Sequence, residues 1–502
     1  MNFIPSIQQV AFFDWIRKGK GNAFLEALAG TGKTTSLVEG AKFMSGSIVI
    51  AAYNKAIADE LKKKIVEHGI PNCSASTFHA VGLSAWKFYT KNKFIKVDGY
   101  KVANILEKSE HVLGFPIPQE YYGFVKSLVS LAKSNALGCN NNKNIMDVSE
   151  WQNIVDHYDL DADLDKNCKV EEGIAFAISV LNKSNEMSRE VIDFDDMIYC
   201  PVFYGVRFFQ HNWVLVDESQ DLTPARRIMA GKMVSKNGRM VFCGDKFQAI
   251  YGFTGADSSA VDNIINDYNC HLLPLTVTYR CPKEVVKVAQ QYVSHLEAHG
   301  SAKDGQVKEI SRDEFLKVHS ELDKHDAILC RKTQPLVSLA YDLIRKGIAC
   351  HVEGKDIGAG LLALIGKWKS IKRVDKFLVK LEDWEAEQIK RAQAKKKDIL
   401  ADSIKDKCNT LRVICEECEM VENVKTKIIS LFQDTTTENK VQTLTLATCH
   451  RSKGREWNKV FILGFKEYMP NRNAKLKWQK EQEQNIIYVA ITRAKETLTL
   501  VG

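Results

Sequence analysis

The segment Ala27-Leu28-Ala29-Gly30-Thr31-Gly32-Lys33-Thr34-Thr35 carries the residue types needed to hold a chain of phosphates. Gly30 and Gly32 let backbone N–H groups converge on phosphate oxygens where a side chain would intrude. A helix starting near Lys33 adds the positive end of its dipole. Lys33 can then reach the β- and γ-phosphates, and the Thr34 hydroxyl can ligate Mg²⁺. Ala27 stands where the general phosphate-loop pattern has its first glycine, at a point farther from the phosphates.

About 180 residues later, Asp217 and Glu218 follow the apolar run Trp213-Val214-Leu215-Val216. Ligands gather at the carboxyl ends of strands in open α/β sheets. Asp217 is the expected magnesium partner and Glu218 the expected general base for an attacking water. A second apolar run, Met240–Cys243, leads into Gly244-Asp245 and then Gln248, placed to sense a γ-phosphate. Tyr251 and Phe253 offer planes on which bases could stack, or else fill a core. Together these residues are the expected parts of a site that binds and hydrolyses a nucleoside triphosphate with Mg²⁺.

Positioning them requires buried parallel strands that end at the site and helices that start there. The apolar runs before Ala29 and Asp217 are short and uninterrupted, the pattern of strands buried on both faces. Alternation of such runs with amphipathic stretches predicts an α/β fold with parallel sheets. A chain of 502 residues exceeds one core and predicts about three or four domains. With 45% hydrophobic and 26% charged residues the composition is that of a soluble globular protein. No run of about 18 apolar residues is present to span a bilayer. Pro5, Gln8, Gln9 and Asp14 interrupt any signal-peptide core, so a cytoplasmic location is expected, or nuclear in a eukaryote. Thirteen cysteines without a repeated spacing fit reduced thiols, and the lone Cys415/Cys418 pair reads as chance. The net charge of +8 permits a polyanionic partner without requiring one.

In order along the chain, the motifs resemble those of the superfamily 1 DNA helicases of the UvrD/Rep/PcrA-like group. PSIQQVA resembles the family's glutamine motif, with Gln8 as adenine reader and Gln9 as the alternative. The phosphate loop implies nucleotide contacts from Ala29, Gly30, Thr31, Gly32, Lys33, Thr34 and Thr35. IVIAAYNKAIADEL and STFHAVG resemble motifs that touch single-stranded DNA, which implies roles for Tyr53, Asn54, Phe78 and His79 beside Tyr251 and Phe253. DFDDMI at 193–198 resembles the segment before the acidic strand. LTVTYRCP implies Tyr279 stacking on adenine and Arg280 reaching the γ-phosphate. LATCHRSKGREW implies coupling of DNA to nucleotide through Thr448, His450 and Glu456. EQNIIYVAITRAK supplies Arg493 as a second arginine. Thr254 departs from the family, which commonly has arginine there.

The resemblance implies two RecA-like lobes with ATP between them. The first lobe is expected at 1–90 and 191–275, with a helical insertion at 91–190. The second is expected at 276–370 and 435–502, with a small helical insertion at 371–434. KRAQAKKK within that insertion could contact phosphates and is read in preference as a solvated helix face. The implied activity is ATP-dependent translocation on single-stranded DNA, 3′→5′, by a monomer acting at single-strand/duplex junctions. A translocase that strips bound proteins and unwinds poorly is the first alternative. A small-molecule P-loop kinase is the second, and it leaves Arg280 and Arg493 unexplained. With seven residues after Lys495, no appended nuclease is expected.

Overall fold

The computed structural model describes residues 3–139, 144–160, 164, 168–252, 255, 259–318, 322–346, 348–394, 397–416, 418–432 and 443–502. The chain divides into two compact units. The first holds Met1–Leu28 and Gly32–Leu275, the second Ala29–Thr31 and Thr276–Gly502.

The first unit is built on six parallel strands: β1 (Asn22–Ala27), β2 (Ile48–Ala52), β3 (Cys73–Thr77), β6 (His211–Val216), β7 (Val234–Gly244) and β8 (Cys270–Leu275). Their order across the sheet is β3-β2-β6-β7-β1-β8. Because side chains alternate along a strand, each apolar run feeds both faces. Phe24, Val214, Val216, Met240 and Phe242 enter the core on one side. Leu25, Leu215, Val241 and Cys243 enter the core on the other, with the helices Ile7–Lys18, Lys33–Ala41 and Lys55–Glu67. That two-sided burial is why these strands lack the polar alternation of a half-exposed sheet. Phe242 alone, fully buried, contributes about 1.5–3 kcal/mol.

Segment 91–190 lies on the first of these faces. Its helices include Lys101–Glu107, Tyr122–Ser134, Val148–Tyr158 and Val170–Met187. Tyr122–Ser134 shows why they pack there: Phe124, Val125, Leu128, Val129 and Ala132 line one stripe at helical spacing, all essentially unexposed. The segment is not wholly helical. β4 (Lys96–Val97) pairs in parallel with β5 (Val191–Ile192), joining the start of the insertion to the residues that follow it. Two residues per strand give too short an alternation to be legible in the sequence.

The second unit has its own six parallel strands, ordered β11-β16-β15-β12-β14-β13. They are β11 (Gln306–Ile310), β12 (Ala327–Cys330), β13 (Cys350–Glu353), β14 (Leu444–Thr448), β15 (Trp457–Leu463) and β16 (Ala494–Val501). A short parallel pair, β9 (Val277–Thr278) with β10 (Glu297–Ala298), stands beside them. Segment 371–434 forms the helices Val374–Ala394, Asp398–Cys415 and Val421–Phe432. Leu381, Leu411, Ile414, Val424 and Ile428 carry its apolar stripes into one core with β12, β13 and β14. Cys408 and Cys415 belong to that core. Residues 395 and 396 of the KRAQAKKK run fall outside the described residues.

Candidate nucleotide-hydrolysis site

In the first unit the residues with phosphate and water chemistry meet at the carboxyl ends of β1, β6 and β7. Register explains this: β1 and β7 run together as far as Glu26 against Gly244, and β6 pairs β7 through Val216 against Phe242. The turns that leave these strands therefore open at one edge.

Gly30 and Gly32 both have left-handed backbone, at φ 73° and 82°. Side chains there would be strained, which is the physical content of the glycine pattern. Gly32 caps the helix Lys33–Ala41, and its carbonyl accepts the Ser36 N–H at 2.8 Å. Gln9 braces the same helix: its amide donates to Ser36 Oγ at 2.9 Å and accepts from the Ser6 N–H at 2.9 Å. Gln9 is thus part of the scaffold, and half-buried Gln8 is its neighbour on the helix Ile7–Lys18. Thr34 and Thr35 sit half-buried in the first turn after Lys33.

Lys33 Nζ lies 3.1 Å from Glu218 Oε1. Burial works against the ammonium, but the carboxylates of Glu218, Asp245 and Asp217 outweigh it and hold Lys33 above its ordinary pKa. Glu218 is a non-glycine residue with left-handed backbone, φ 52° and ψ 44°. Such a conformation is uncommon and persists where the surroundings fix it. Gln220 holds the Glu218 side chain. Its side-chain amide donates to Glu218, while its carbonyl accepts the Asp245 N–H at 3.1 Å. A Cβ on Gly244 would sit 2.5 Å from that carbonyl, so only glycine fits beneath it.

Asp217 is 3% exposed and accepts the Glu218 N–H at 2.9 Å. Burial, then the Glu218 carboxylate, push it up to about 7. Asp245 is also buried. Desolvation raises it to about 6 against the opposing pull of Lys33 and of Gln248, whose amide donates to it at 2.6 Å. Two carboxyl groups held this far above their ordinary range, next to one lysine, form a site with room for more positive charge. Thr34 and Asp217 offer hard oxygen donors of the kind magnesium takes. The structure therefore brings Lys33, Asp217, Glu218 and Gln248 together. It adds Gln220 and Asp245, which sequence reasoning passed over although both lie in the same turns.

The expected strand-contacting residues divide. Tyr53 and Tyr251 are half-buried, with parallel rings 6.4 Å apart, and the Arg226 guanidinium lies 4.8 Å over Tyr53. His79 is half-buried, and desolvation followed by Arg226 lowers its pKa. Asn54 is exposed and caps the helix Lys55–Glu67, accepting the Ile57 N–H at 2.9 Å. Phe78 requires correction. It is 1% exposed within the main core, so its ring presents no face to a base. An aromatic residue at a helix start suits either role, and packing decided it. Phe253 and Thr254 lie outside the described residues.

In the second unit Tyr279 is 46% exposed, its ring 4.7 Å from that of His299. Arg280 Nε donates to Glu456 at 2.5 Å. Arg493 is 1% exposed: Nε donates to the Val489 carbonyl at 2.8 Å, Nη1 to the Arg455 carbonyl at 3.1 Å and Nη2 to Thr492 Oγ1 at 3.0 Å. The expected phosphate-facing arginine is therefore engaged within its own unit. Thr448 ends β14, 8% exposed, and its carbonyl accepts the Ser452 N–H at 3.1 Å. Desolvation, then Arg331 and Arg451, bring His450 down to about 3, so its imidazole is neutral at pH 7. Arg331 forms a forked pair with Glu483, with Nη2 at 2.6 Å. Sequence reading missed that pair because 152 residues separate the partners.

Two family models match the chain: the UvrD/REP helicase N-terminal domain over residues 12–269 and the UvrD-like helicase C-terminal domain over 443–501. The chain is 24% identical to F-box DNA helicase 1 of Gallus gallus, over 94% of this chain and 46% of that protein. It is 23% identical to the ATP-dependent DNA helicase Rep of Buchnera aphidicola, over 55% of this chain and 42% of that protein. A probable DNA helicase of Mycoplasma pneumoniae is 21% identical, over 94% and 79%. The chain spans less than half the length of the first two. More than half of its residues fall within the first model alone, and the hydrolysis geometry lies inside that match: the chain belongs to the UvrD/Rep helicase family.

Proposed function

We propose that this protein is an ATP-dependent DNA helicase that translocates 3′→5′ on single-stranded DNA and opens duplexes at junctions. The observation that carries the reading is the grouping of Lys33, Asp217, Glu218 and Gln248 at one strand edge, with Glu218 aimed by a left-handed backbone. Family membership supports DNA as the substrate, and the likeness of CHRSKGRE and YVAITRAK to the UvrD side of the superfamily supports the direction. Relatives are named ATP-dependent DNA helicase Rep and F-box DNA helicase 1.

In this mechanism the Gly30–Gly32 backbone and Lys33 hold the triphosphate, with Gln8 at the adenine and Tyr279 stacked on it. Thr34 and Asp217 would hold Mg²⁺, which supplies charge neutralisation on the β- and γ-phosphates. Glu218 takes the proton of the attacking water, and Gln248 reports the γ-phosphate to the neighbouring aromatic residues. Arg280 and Arg493 supply charge to the transferring phosphoryl group, a contribution of about 10³–10⁵ in rate for such arginines. Three of the five Arg493 N–H donors are held by Val489, Arg455 and Thr492 in its own unit, which fixes the orientation of the guanidinium. Tyr53, Tyr251, Phe253 and His79 grip base faces and backbone, with Thr448, His450 and Glu456 coupling grip to hydrolysis. We place the lobes at 1–90 with 191–275 and 276–370 with 435–502, and the insertions at 91–190 and 371–434.

The small second insertion, with three helices among its described residues, supports one alternative: a translocase that displaces bound proteins and unwinds weakly. Unwinding of substrates with either overhang, compared with displacement of a bound protein, separates the two. Glu218→Gln tests the site itself. It should bind ATP and fail to turn over, and near-normal turnover would remove Glu218 as the base.

A further inference from the structure

A cavity of about 680 Å³ opens within the first unit between the helical insertion and the strand ends, in the size range of small-ligand sites. Tyr53, Lys126, Ser127, Ser130, Asp195 and Arg226 are among its walls. Lys126 and Arg226 suit phosphate oxygens, and Tyr53 offers a ring face. Asp195 is the unexpected member, because a carboxylate repels a phosphate backbone and can only accept hydrogen bonds.

Asp195 is held in place by a network that the hydrolysis mechanism does not use. Lys101 Nζ donates to Asp196 at 2.6 Å and Lys133 Nζ to Asp193 at 2.6 Å, while Lys133 Nζ also lies 2.7 Å from Asp196 as an ion pair, with both lysines buried. The Asp196 N–H donates to the Asp193 carboxylate at 2.7 Å, and the Asp193 N–H to that of Asp196 at 3.1 Å. This lock closes the loop on both sides of Asp195. The Asp195 carboxylate turns to the cavity, where Oδ2 accepts the Ser130 hydroxyl at 2.6 Å. The remaining acceptor capacity of the carboxylate is available to a ligand that brings N–H donors.

We infer that this cavity receives a base of the bound strand and that Asp195 makes the grip depend on which base it is. This rests on the single-strand reading above and departs from its sequence-independent contacts. Cytosine and adenine present an exocyclic amino group to a carboxylate, whereas thymine presents carbonyl oxygens flanking one N–H. Strands of cytosine or adenine are therefore held more tightly than strands of thymine.

The test is the concentration of oligo-dT, oligo-dC and oligo-dA that half-saturates ATPase stimulation. Wild-type protein should favour dC and dA over dT by about 5- to 10-fold, the value of one net hydrogen bond. In Asp195→Asn the amide oxygen still accepts from Ser130, but the amide N–H₂ now donates, so the ratio should collapse or reverse toward dT. Should that variant not fold, the wild type decides alone, since equal half-saturation by dT and dC overturns the inference. Stimulation by all three oligomers, weakened by Tyr53→Ala but with an unmoved dC:dT ratio in Asp195→Asn, rejects the base reading and keeps the strand site. No stimulation by any oligomer rejects both.

Discussion

Lys33 and Glu218 face each other at 3.1 Å, the phosphate-binding cation paired with the residue proposed to activate water. The pairing offsets part of the cost of taking both charges out of water. Phosphate oxygens would take over the lysine and free Glu218 for its proton. Lys33→Ala should therefore lose nucleotide binding, while Glu218→Gln should keep it and lose about 10²–10⁴ in turnover. Equilibrium binding of a fluorescent ATP analogue beside steady-state hydrolysis reads both.

Asp217 and Asp245 give the nucleotide-free protein a pH-dependent stability. Their native pKa values, about 7 and about 6, stand above the ordinary aspartate value of 3.8, so the folded state holds more protons than the unfolded state between about pH 4 and 7. Stability from these groups is present at the acid end of that window and falls as pH rises through it. Asp217→Asn should flatten the decline. Thermal melts of both proteins from pH 5 to 7.5 measure it, and parallel curves would show that Asp217 ionises as freely as a surface group.

Arg280 and Arg493 should differ in kind. Arg280 is partly exposed and paired to Glu456, whereas Arg493 is buried with three donors in use. Alanine at 280 should cost turnover, about 10³-fold or more for an arginine of this type, with little change in melting temperature. Alanine at 493 should cost turnover and also destabilise its unit, leaving the Val489 and Arg455 carbonyls without that donor. Matching melting temperatures in the two variants would contradict the assignment.

Lys133→Ala should destabilise the protein by about 3–5 kcal/mol, because it strands the Asp193 carboxylate and leaves Asp196 to Lys101 alone. Phe78→Ala should cost a similar amount, about 3–5 kcal/mol, as a cavity in the core. Urea unfolding gives both values, and a cost under 1 kcal/mol for Phe78 would return its ring to the strand-contacting set.

The legible part of this protein was the part built from local runs. Trp213–Val216 and Met240–Cys243 reveal strands because burial on both faces removes polar residues, and Gly30 and Gly32 reveal the loop because only glycine adopts its backbone cheaply. What stayed hidden depends on distant partners. Gln220 matters through Asp245, Arg331 through Glu483, and Lys133 through Asp193 and Asp196. Phe78 shows the converse: its motif position suggested a DNA contact, and its neighbours enclosed it instead.

The most direct measurement is the steady-state ATP hydrolysis rate with and without single-stranded DNA, alongside displacement of a strand from duplexes with a 3′ or a 5′ overhang. A DNA-activated motor of this family should hydrolyse ATP many-fold faster with DNA and open the 3′-overhang substrate. A rate indifferent to DNA, or opening from the 5′ overhang alone, would contradict the proposed activity or its direction.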